Sequence, residues 1–492
     1  MIKPNHPQTV LIVGLAREGL AAARWLTQQD GVHVIASDLR PPAANVQERL
    51  QDLGVQLAIG PQTPNLLDNV HAVVVSPGVP QAIPLLQAAR AKNLHITTEP
   101  RLFAQGNPAP LIGITGSSGK TTTTTLVARI LEGTGYLTWL GGNIGSPLLP
   151  QIAGILPQDR AVMELSSFQL LYWQATAPWP HAPAAWIHPN AISPKIAAIL
   201  NITPNHLDRH PSMAHYTAAK ANIAAAQKPG DTLVLNRDDP ILEAWARFGQ
   251  VHIPAGPGQE AITFPIKAKI ITFGFSKTNQ PGSTWLKDRH ISLQRGGKTQ
   301  TIIDISDIQL RGRHNLANVL AAVAIANATG ASRLAMKEAI HAFRGVQHRM
   351  EEIIHTRKNI LWINDSIATA PERAIAAMRS FDAPIILLAG GRDKALPWQE
   401  WAKVVQRRAR IVIAFGEAAP IIEKALQNRP PNSRLNALYR VKDLPAAVQQ
   451  AYQLARSNEI VLLSPGGTSY DAYVDFAARG NHFRQLVKEL YK

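Results

Sequence analysis

Ile114–Leu126 reads ITGSSGKTTTTTL, with two glycines, a lysine and five consecutive threonines directly behind an apolar run. Backbone N–H groups of Gly116 to Gly119 turned inward, the positive N-terminus of a following helix, a mobile ammonium on Lys120 and the Thr121 hydroxyl would together cradle a polyphosphate and its magnesium ion. The match to G-x-x-x-x-G-K-[ST] is partial: Gly119-Lys120-Thr121 form its end, while Ile114 stands at its first glycine. Leu126, Val127, Ile130 and Leu131 recur at helical spacing, so the threonines fall on the first turns of a helix, although β-branched residues start one poorly. A plain strand, glycine turn and helix is the competing reading.

Downstream, oxygen and imidazole groups follow strand-like runs. Glu164 closes AVMEL, which puts its carboxylate at the carboxyl edge of the same sheet, where a hard cation wants oxygen. NITPNHLDRH crowds His206, Asp208 and His210 together. The four-residue spacing of the histidines invites zinc, but no third soft ligand is close. Contact with magnesium or a substrate phosphate is the preferred reading, and a capped helix start the alternative.

The elements that must position these groups read as an α/β chain. TVLIVGLA, EGLAAARWLTQQ, VHVIASD and HAVVVSPG alternate strand and helix patterns, implying a parallel sheet with binding at the carboxyl ends of its strands. Gly14 and Gly19 bracket the first turn, yet Ala16 stands where a dinucleotide fingerprint needs its second glycine. Asp38, ending the second strand, suits either a nucleotide-sugar site or a simple cap. Gln105-Gly106-Asn107-Pro108 punctuates the chain, and a second domain with strands AVMEL, IAAILNIT and DTLVLN runs from there to about Arg344. A third, from about Val346, contains ILWIND, PIILLAGG, RIVIAFG and IVLLSPGG. Domains at 1–106, 107–345 and 346–492 are therefore expected. The Pro- and Trp-rich stretch 172–194 reads as an ordered loop, and no internal repeat occurs.

Composition excludes several classes. The 492 residues, 46% of them apolar, suffice for about three domains. No cysteine is present, which removes disulfides, thiolate nucleophiles and cysteine zinc sites. Runs such as Thr9–Ala16 are too short to span a bilayer, and no export signal opens the chain, so a cytoplasmic protein without membrane insertion is expected. The net charge of +16 is scattered rather than gathered into an aromatic-interleaved stripe. It points away from nucleic acid and towards a field that gathers anionic small substrates.

ITGSSGKTT, ELSSFQL, ILNITPNHLDRH, YTAAKANI, LNRDDP, RGRHNLANVLAA, HRME, NDSIATAPE, LLAGGRDK and LLSPGGTSYDAYVDFAARGNHF, in this order, resemble the ATP-dependent Mur ligase family, and the last three its D-glutamate-adding branch. The resemblance implies a Rossmann-like N-terminal domain holding a UDP moiety, a central P-loop ATPase domain with a parallel sheet, and a Rossmann-like C-terminal domain that brings the amino acid. It places Arg17, Glu18, Asp38, Arg40, Ser76, Asn143 and His206 at the UDP-substrate, and Gly116, Ser117, Ser118, Gly119, Lys120, Thr121 and Thr122 on ATP phosphates. His314, Asn315, Asn318, Arg349 and Asp365 fall on the adenosine side, and Thr369, Lys394, Ser469, Tyr470 and Phe476 around D-glutamate. Thr121, Glu164, His206 and a carbamylated Lys220 would hold magnesium, as two ions, with Lys120, Glu164, His206 and Lys220 as the catalytic set. The implied partners are ATP, UDP-N-acetylmuramoyl-L-alanine and D-glutamate, joined through an acyl phosphate by a monomer. Ser118, Asn205 and Ile367 depart from the family's usual residues, and Ile367 replaces a lysine. Another ligase of this architecture, or a P-loop protein without ligase chemistry, remains open, although the D-N-P-R motif expected of a diaminopimelate-adding enzyme is missing.

Overall fold

Apolar runs buried on both faces become strands, as parallel sheets require. The computed structural model describes residues 8–174, 192–207, 209–257, 260–310, 312–356, 358–393 and 396–491. In its first sheet, β1 (Gln8–Val13), β2 (Val32–Asp38), β3 (Gln56–Ile59), β4 (Ala72–Val75) and β5 (His95–Thr97) are all parallel, in the order β3-β2-β1-β4-β5. The order reverses at β1, so a crevice opens between the carboxyl ends of β1 and β4, the position where such sheets bind ligands.

The second sheet is built on β6 (Leu111–Thr115), β7 (Thr138–Gly142), β8 (Arg160–Glu164), β9 (Ile196–Ile199) and β10 (Thr232–Asn236). A separate antiparallel pair, β11 (Gln250–Ile253) and β12 (Ile262–Pro265), interrupts the run. The sheet then continues through β13 (Lys269–Gly274), β14 (Thr284–Lys287), β15 (His290–Arg295) and β16 (Lys298–Asp304), giving the order β16-β15-β14-β13-β10-β9-β6-β8-β7. Its last strands are antiparallel, a departure from the expected alternation of strand and helix. Gly296 and Gly297, both at positive φ, make the two-residue turn that joins β15 to β16.

The third sheet, in the order β17-β18-β22-β19-β20-β21, comprises β17 (Glu351–His355), β18 (Leu361–Asn364), β19 (Ile385–Gly390), β20 (Ala409–Phe415), β21 (Ala437–Arg440) and β22 (Ile460–Gly466). Only β17 among these runs antiparallel to its neighbour. Three α/β domains thus each carry a sheet, and they fall into two compact units, one ending at Phe343 and the other starting at Arg344. The first two sheets belong to one unit because a single apolar cluster, including Val10, Trp25, Phe103, Leu149, Met163 and Leu165, runs through both. In the second unit, Leu387, Val412 and Trp401 pack on one face of the sheet, and Ile386, Ile413 and Phe483 on the other. No helix among the described residues is long and apolar enough to cross a membrane.

Candidate active site

Sheet order explains which groups meet at the glycine loop. β6 lies between β8 and β9, with Ile114 in register with Glu164 and Thr115 with Ile199. The loop leaving β6 is therefore flanked by Glu164 on one side and Asn201 on the other. Asn201 braces it: its carbonyl accepts the Ser117 N–H (3.0 Å), and its side-chain Oδ1 accepts the Ser118 N–H (2.8 Å). Two of the N–H groups expected to face an anion are thus turned onto protein. Gly119 sits at φ 79° as the cap of the helix Lys120–Gly133, and a Cβ there would collide with Asn318 Oδ1. Only glycine allows this approach, which brings the helix Arg313–Ala328, with Asn315 and Asn318, beside the loop. The threonine run holds as helix because Thr121, Thr123 and Thr124 are buried and Thr124 Oγ1 donates back to Lys120 O at 2.8 Å.

Two lysine side chains converge on a single carbonyl. Lys120 Nζ donates to Gly116 O at 3.0 Å, and Lys220 Nζ to the same oxygen at 2.9 Å. Lys220, on the helix Met213–Ala225, is 1% exposed, with Nζ 4.7 Å from the Tyr216 ring centroid. Burial pushes its pKa well below the usual lysine range; Lys120 adds to this, and Glu164 opposes it. Glu164 is 2% exposed. Asn143 Nδ2 donates to its Oε1 at 2.7 Å, while its Oε2 has no hydrogen-bond partner. A buried carboxylate oxygen without a donor is costly, and a hard cation is the partner that would satisfy it. Thr121 lies in the first turn of the helix after the loop, and His206, at φ 55°, lies in the segment after β9. Zinc between the two histidines finds no support: both His210 ring nitrogens have other partners, Ser167 and His215, and no group of three or more metal-binding side chains occurs among the described residues. Asp208 lies outside the described residues.

Around the crevice of the first sheet, the expected UDP-site residues make specific structural bonds. Asp38 Oδ2 accepts the Leu15 N–H (2.7 Å) and its Oδ1 the Arg40 N–H (3.2 Å), while Ser76 Oγ donates to Gly14 O (2.7 Å). Arg17 donates to Gly145 O (2.7 Å) and Gly142 O (3.1 Å), on either side of Asn143. Glu18 accepts from Gln169 Nε2 at 2.8 Å. Burial raises the Glu18 pKa to about 7, against the pull of Arg17 and Gln169. Arg17 and Glu18 thereby join the first sheet to the segments after β7 and β8.

In the second unit, Asp365 is raised to about 7 by burial, although Ser464 Oγ donates to its Oδ2 (2.9 Å) and the Met350 N–H to its Oδ1 (3.2 Å). Arg349 adds a nearby positive charge that opposes the shift. Thr369 N–H donates to Ile367 O at 2.8 Å, Ser469 is buried, and Tyr470 is 62% exposed. Phe476 opens the helix Phe476–Glu489, and its carbonyl accepts from Ser366 Oγ at 2.8 Å. Lys394 lies outside the described residues. Sequence reasoning missed Arg479, which is fully buried and donates to Ser366 Oγ (3.0 Å), Ser366 O (2.9 Å) and Gly467 O (3.2 Å). It fastens the loop after β18 to the loop after β22, and its only sequence signal is its place one helical turn beyond Phe476. Asn201 and Tyr216, whose hydroxyl donates to Ser117 Oγ at 2.9 Å, were missed in the same way.

Known proteins share this arrangement from end to end. Residues 8–98 match the family described as Mur ligase MurD-like, N-terminal domain; residues 114–326 match Mur ligase middle domain; residues 348–467 match Mur ligase, glutamate ligase domain. The UDP-N-acetylmuramoylalanine--D-glutamate ligase of Symbiobacterium thermophilum is 37% identical over 485 residues, 97% of each chain. Its namesake from Pelotomaculum thermopropionicum is 35% identical over the whole of both chains. Among solved structures, UDP-N-acetylmuramate-alanine ligase from Thermotoga maritima shares the fold at 18% identity, with a TM-score of 0.54 over 98% of this chain and 99% of that one. With relatives this similar along its full length, and a phosphate loop, buried carboxylate and buried lysine meeting at one sheet edge, the chain belongs to the Mur ligase family.

Proposed function

We propose that the chain is an ATP-dependent ligase that adds D-glutamate to UDP-N-acetylmuramoyl-L-alanine in peptidoglycan precursor synthesis. The observation that carries this is the full-length similarity to D-glutamate ligases. It is joined by a site suited to phosphoryl transfer, where Lys120, Lys220 and the unpartnered Glu164 oxygen surround the Gly116–Gly119 loop.

In the reaction, a carboxylate oxygen of the L-alanyl group attacks the γ-phosphorus of ATP, and the bond to the β-phosphate bridge breaks, releasing ADP. The amine of D-glutamate then attacks the acyl-phosphate carbonyl, the C–O bond to phosphate breaks, and phosphate and a proton leave. Lys120 balances charge on the transferring phosphoryl group, and Gly119, with Ser117, Ser118, Thr121 and Thr122, lines the phosphate end. Thr121, Glu164, His206 and Lys220 would hold magnesium, as two ions, which neutralise phosphate charge and orient the transfer. Burial lowers the Lys220 pKa and so favours the neutral amine, the form that can take up carbon dioxide, losing a proton as the N–C bond forms, and present an anionic oxygen. Asn315, Asn318, Arg349 and Asp365 serve the adenosine side, and Arg17, Glu18, Asp38, Arg40, Ser76 and Asn143 the UDP-sugar. Thr369, Lys394, Ser469, Tyr470 and Phe476 receive D-glutamate, in a domain that begins near residue 346. The work would be done in the cytoplasm, where ATP is made.

Phosphate release from ATP, measured with UDP-N-acetylmuramoyl-L-alanine and each of D-glutamate, L-glutamate, L-alanine and diaminopimelate, tests the assignment. Release is expected with D-glutamate alone. Release with another amino acid, or with none, would overturn it.

A further inference from the structure

One buried polar cluster has no part in the chemistry just assigned. His210, 1% exposed, follows His206 by four residues in NITPNHLDRH. Its Nε2 lies 2.9 Å from Ser167 Oγ, three residues beyond Glu164, and its Nδ1 lies 2.8 Å from His215 Nδ1, on the helix that carries Lys220. The ring stacks on Phe168 (centroids 5.1 Å apart, planes 15° apart), and the same Phe168 meets His206 edge-on at 5.2 Å. Tyr216, bonded to Ser117 of the phosphate loop, abuts His210 at 5.2 Å. A single buried imidazole thus contacts the segments that bear Glu164, His206 and Lys220, and reaches the loop through Tyr216.

The His206 turn needs such a brace. His206 sits at φ 55°, a left-handed conformation that a residue with a side chain keeps only where its surroundings over-determine it. The turn is closed by the His210 N–H donating to His206 O at 2.9 Å. Between the facing nitrogens of His210 and His215 there is room for one proton, so one ring donates and the other accepts, and Ser167 completes a directed chain. Phe168, clamped by His210, in turn limits where the His206 ring can lie.

We propose that His210 is a positioning residue for the magnesium nucleotide: its bonds to Ser167 and His215, with its stack on Phe168, hold the His206 turn against the segment following Glu164, so that the two donors keep one separation. The proposal rests on the reading that Glu164 and His206 serve the metal. Groups that orient metal donors in this way typically change affinity by about 10- to 100-fold when removed.

The test reads binding, not turnover. Calorimetric titration of the full chain with ATP, in the presence and absence of magnesium, separates the metal-dependent part of affinity from the rest. His210→Phe keeps a ring to stack on Phe168 and removes both side-chain hydrogen bonds. It should weaken MgATP binding by about 10-fold or more and magnesium-free ATP far less. His210→Gln, still able to bond one neighbour, should recover part of the loss. Equal losses with and without magnesium, or wild-type MgATP affinity in a folded His210→Phe chain, would overturn the proposal. Should His210→Phe fail to fold, Ser167→Ala removes one bond and leaves the ring; a smaller loss confined to the magnesium form supports the proposal, and no loss overturns it. Because no acceptor is present, a wild-type chain that binds MgATP but does not ligate D-glutamate sinks the proposed function while the same titrations still decide the role of His210.

Discussion

Replacing Glu99 by glutamine should stabilise the chain in alkaline solution and do little in mild acid. Glu99 opens the helix Glu99–Gly106, is 2% exposed, and accepts the Leu149 N–H at 2.8 Å, so that one carboxyl ties the end of the first sheet to the central domain. Burial raises its pKa from 4.5 to about 8, against the Leu149 hydrogen bond and with help from the Glu18 carboxyl. Across that window the unfolded chain has released its proton while the folded chain keeps it. The folded state then binds more protons, so stability falls as pH rises and levels off above about 8. At about 1.4 kcal/mol per pH unit, the full rise amounts to about 5 kcal/mol, a ceiling that water reaching the ionised group lowers. Glutamine keeps an oxygen for the Leu149 N–H and carries no charge at any pH. Urea-unfolding midpoints of wild type and Glu99→Gln, followed from about pH 5.5 to 9, should diverge until about pH 8 and then run parallel. Lys220 and His210, whose pKa values are lowered, make stability rise with pH instead, but they are common to both chains and cancel in the difference. A difference that does not change with pH, or a glutamine variant less stable at pH 9, would mean that Glu99 is ionised in the fold and the argument is wrong.

Lys220→Ala should lose ligation by at least about 100-fold, as for other electrostatic catalytic groups, and short carboxylic acids added to the assay should restore part of it. Absence of rescue tells against a carbamate at Lys220. Arg479→Lys keeps a cation but cannot reach Ser366 and Gly467 together, so it should lower the unfolding free energy of the second unit by about 2–3 kcal/mol. It should also raise the KM for D-glutamate more than that for ATP; an unchanged urea midpoint would show that the guanidinium is not what fastens the two loops.

Much of the fold was legible because both-face burial writes itself into a parallel strand: TVLIV, AVMEL, PIILLAGG and IVLLSPGG all lie where their apolar runs put them. The antiparallel β14 to β16 was not foreseen, although Gly296-Gly297 between β-rich runs is a hairpin signal; the expectation of strands alternating with helices hid it. At the site, each motif disclosed what its own segment could offer, such as the ammonium of Lys120 or the carboxylate of Glu164. Partners were a different matter. Thr115 Oγ1 donates to Leu165 O at 2.7 Å across 50 residues of sequence, because β6 and β8 are neighbours in the sheet and not in the chain. Asn201 reaches the loop from β9 on the other side for the same reason, and Arg479 meets Ser366 and Gly467 only because β18 and β22 are adjacent. A strand order is fixed by crossover handedness and packing that no local pattern states. The residues that do chemistry can therefore be found by type and spacing, while those that hold them in place, His210 and Arg479 among them, become visible only when the sheets are assembled.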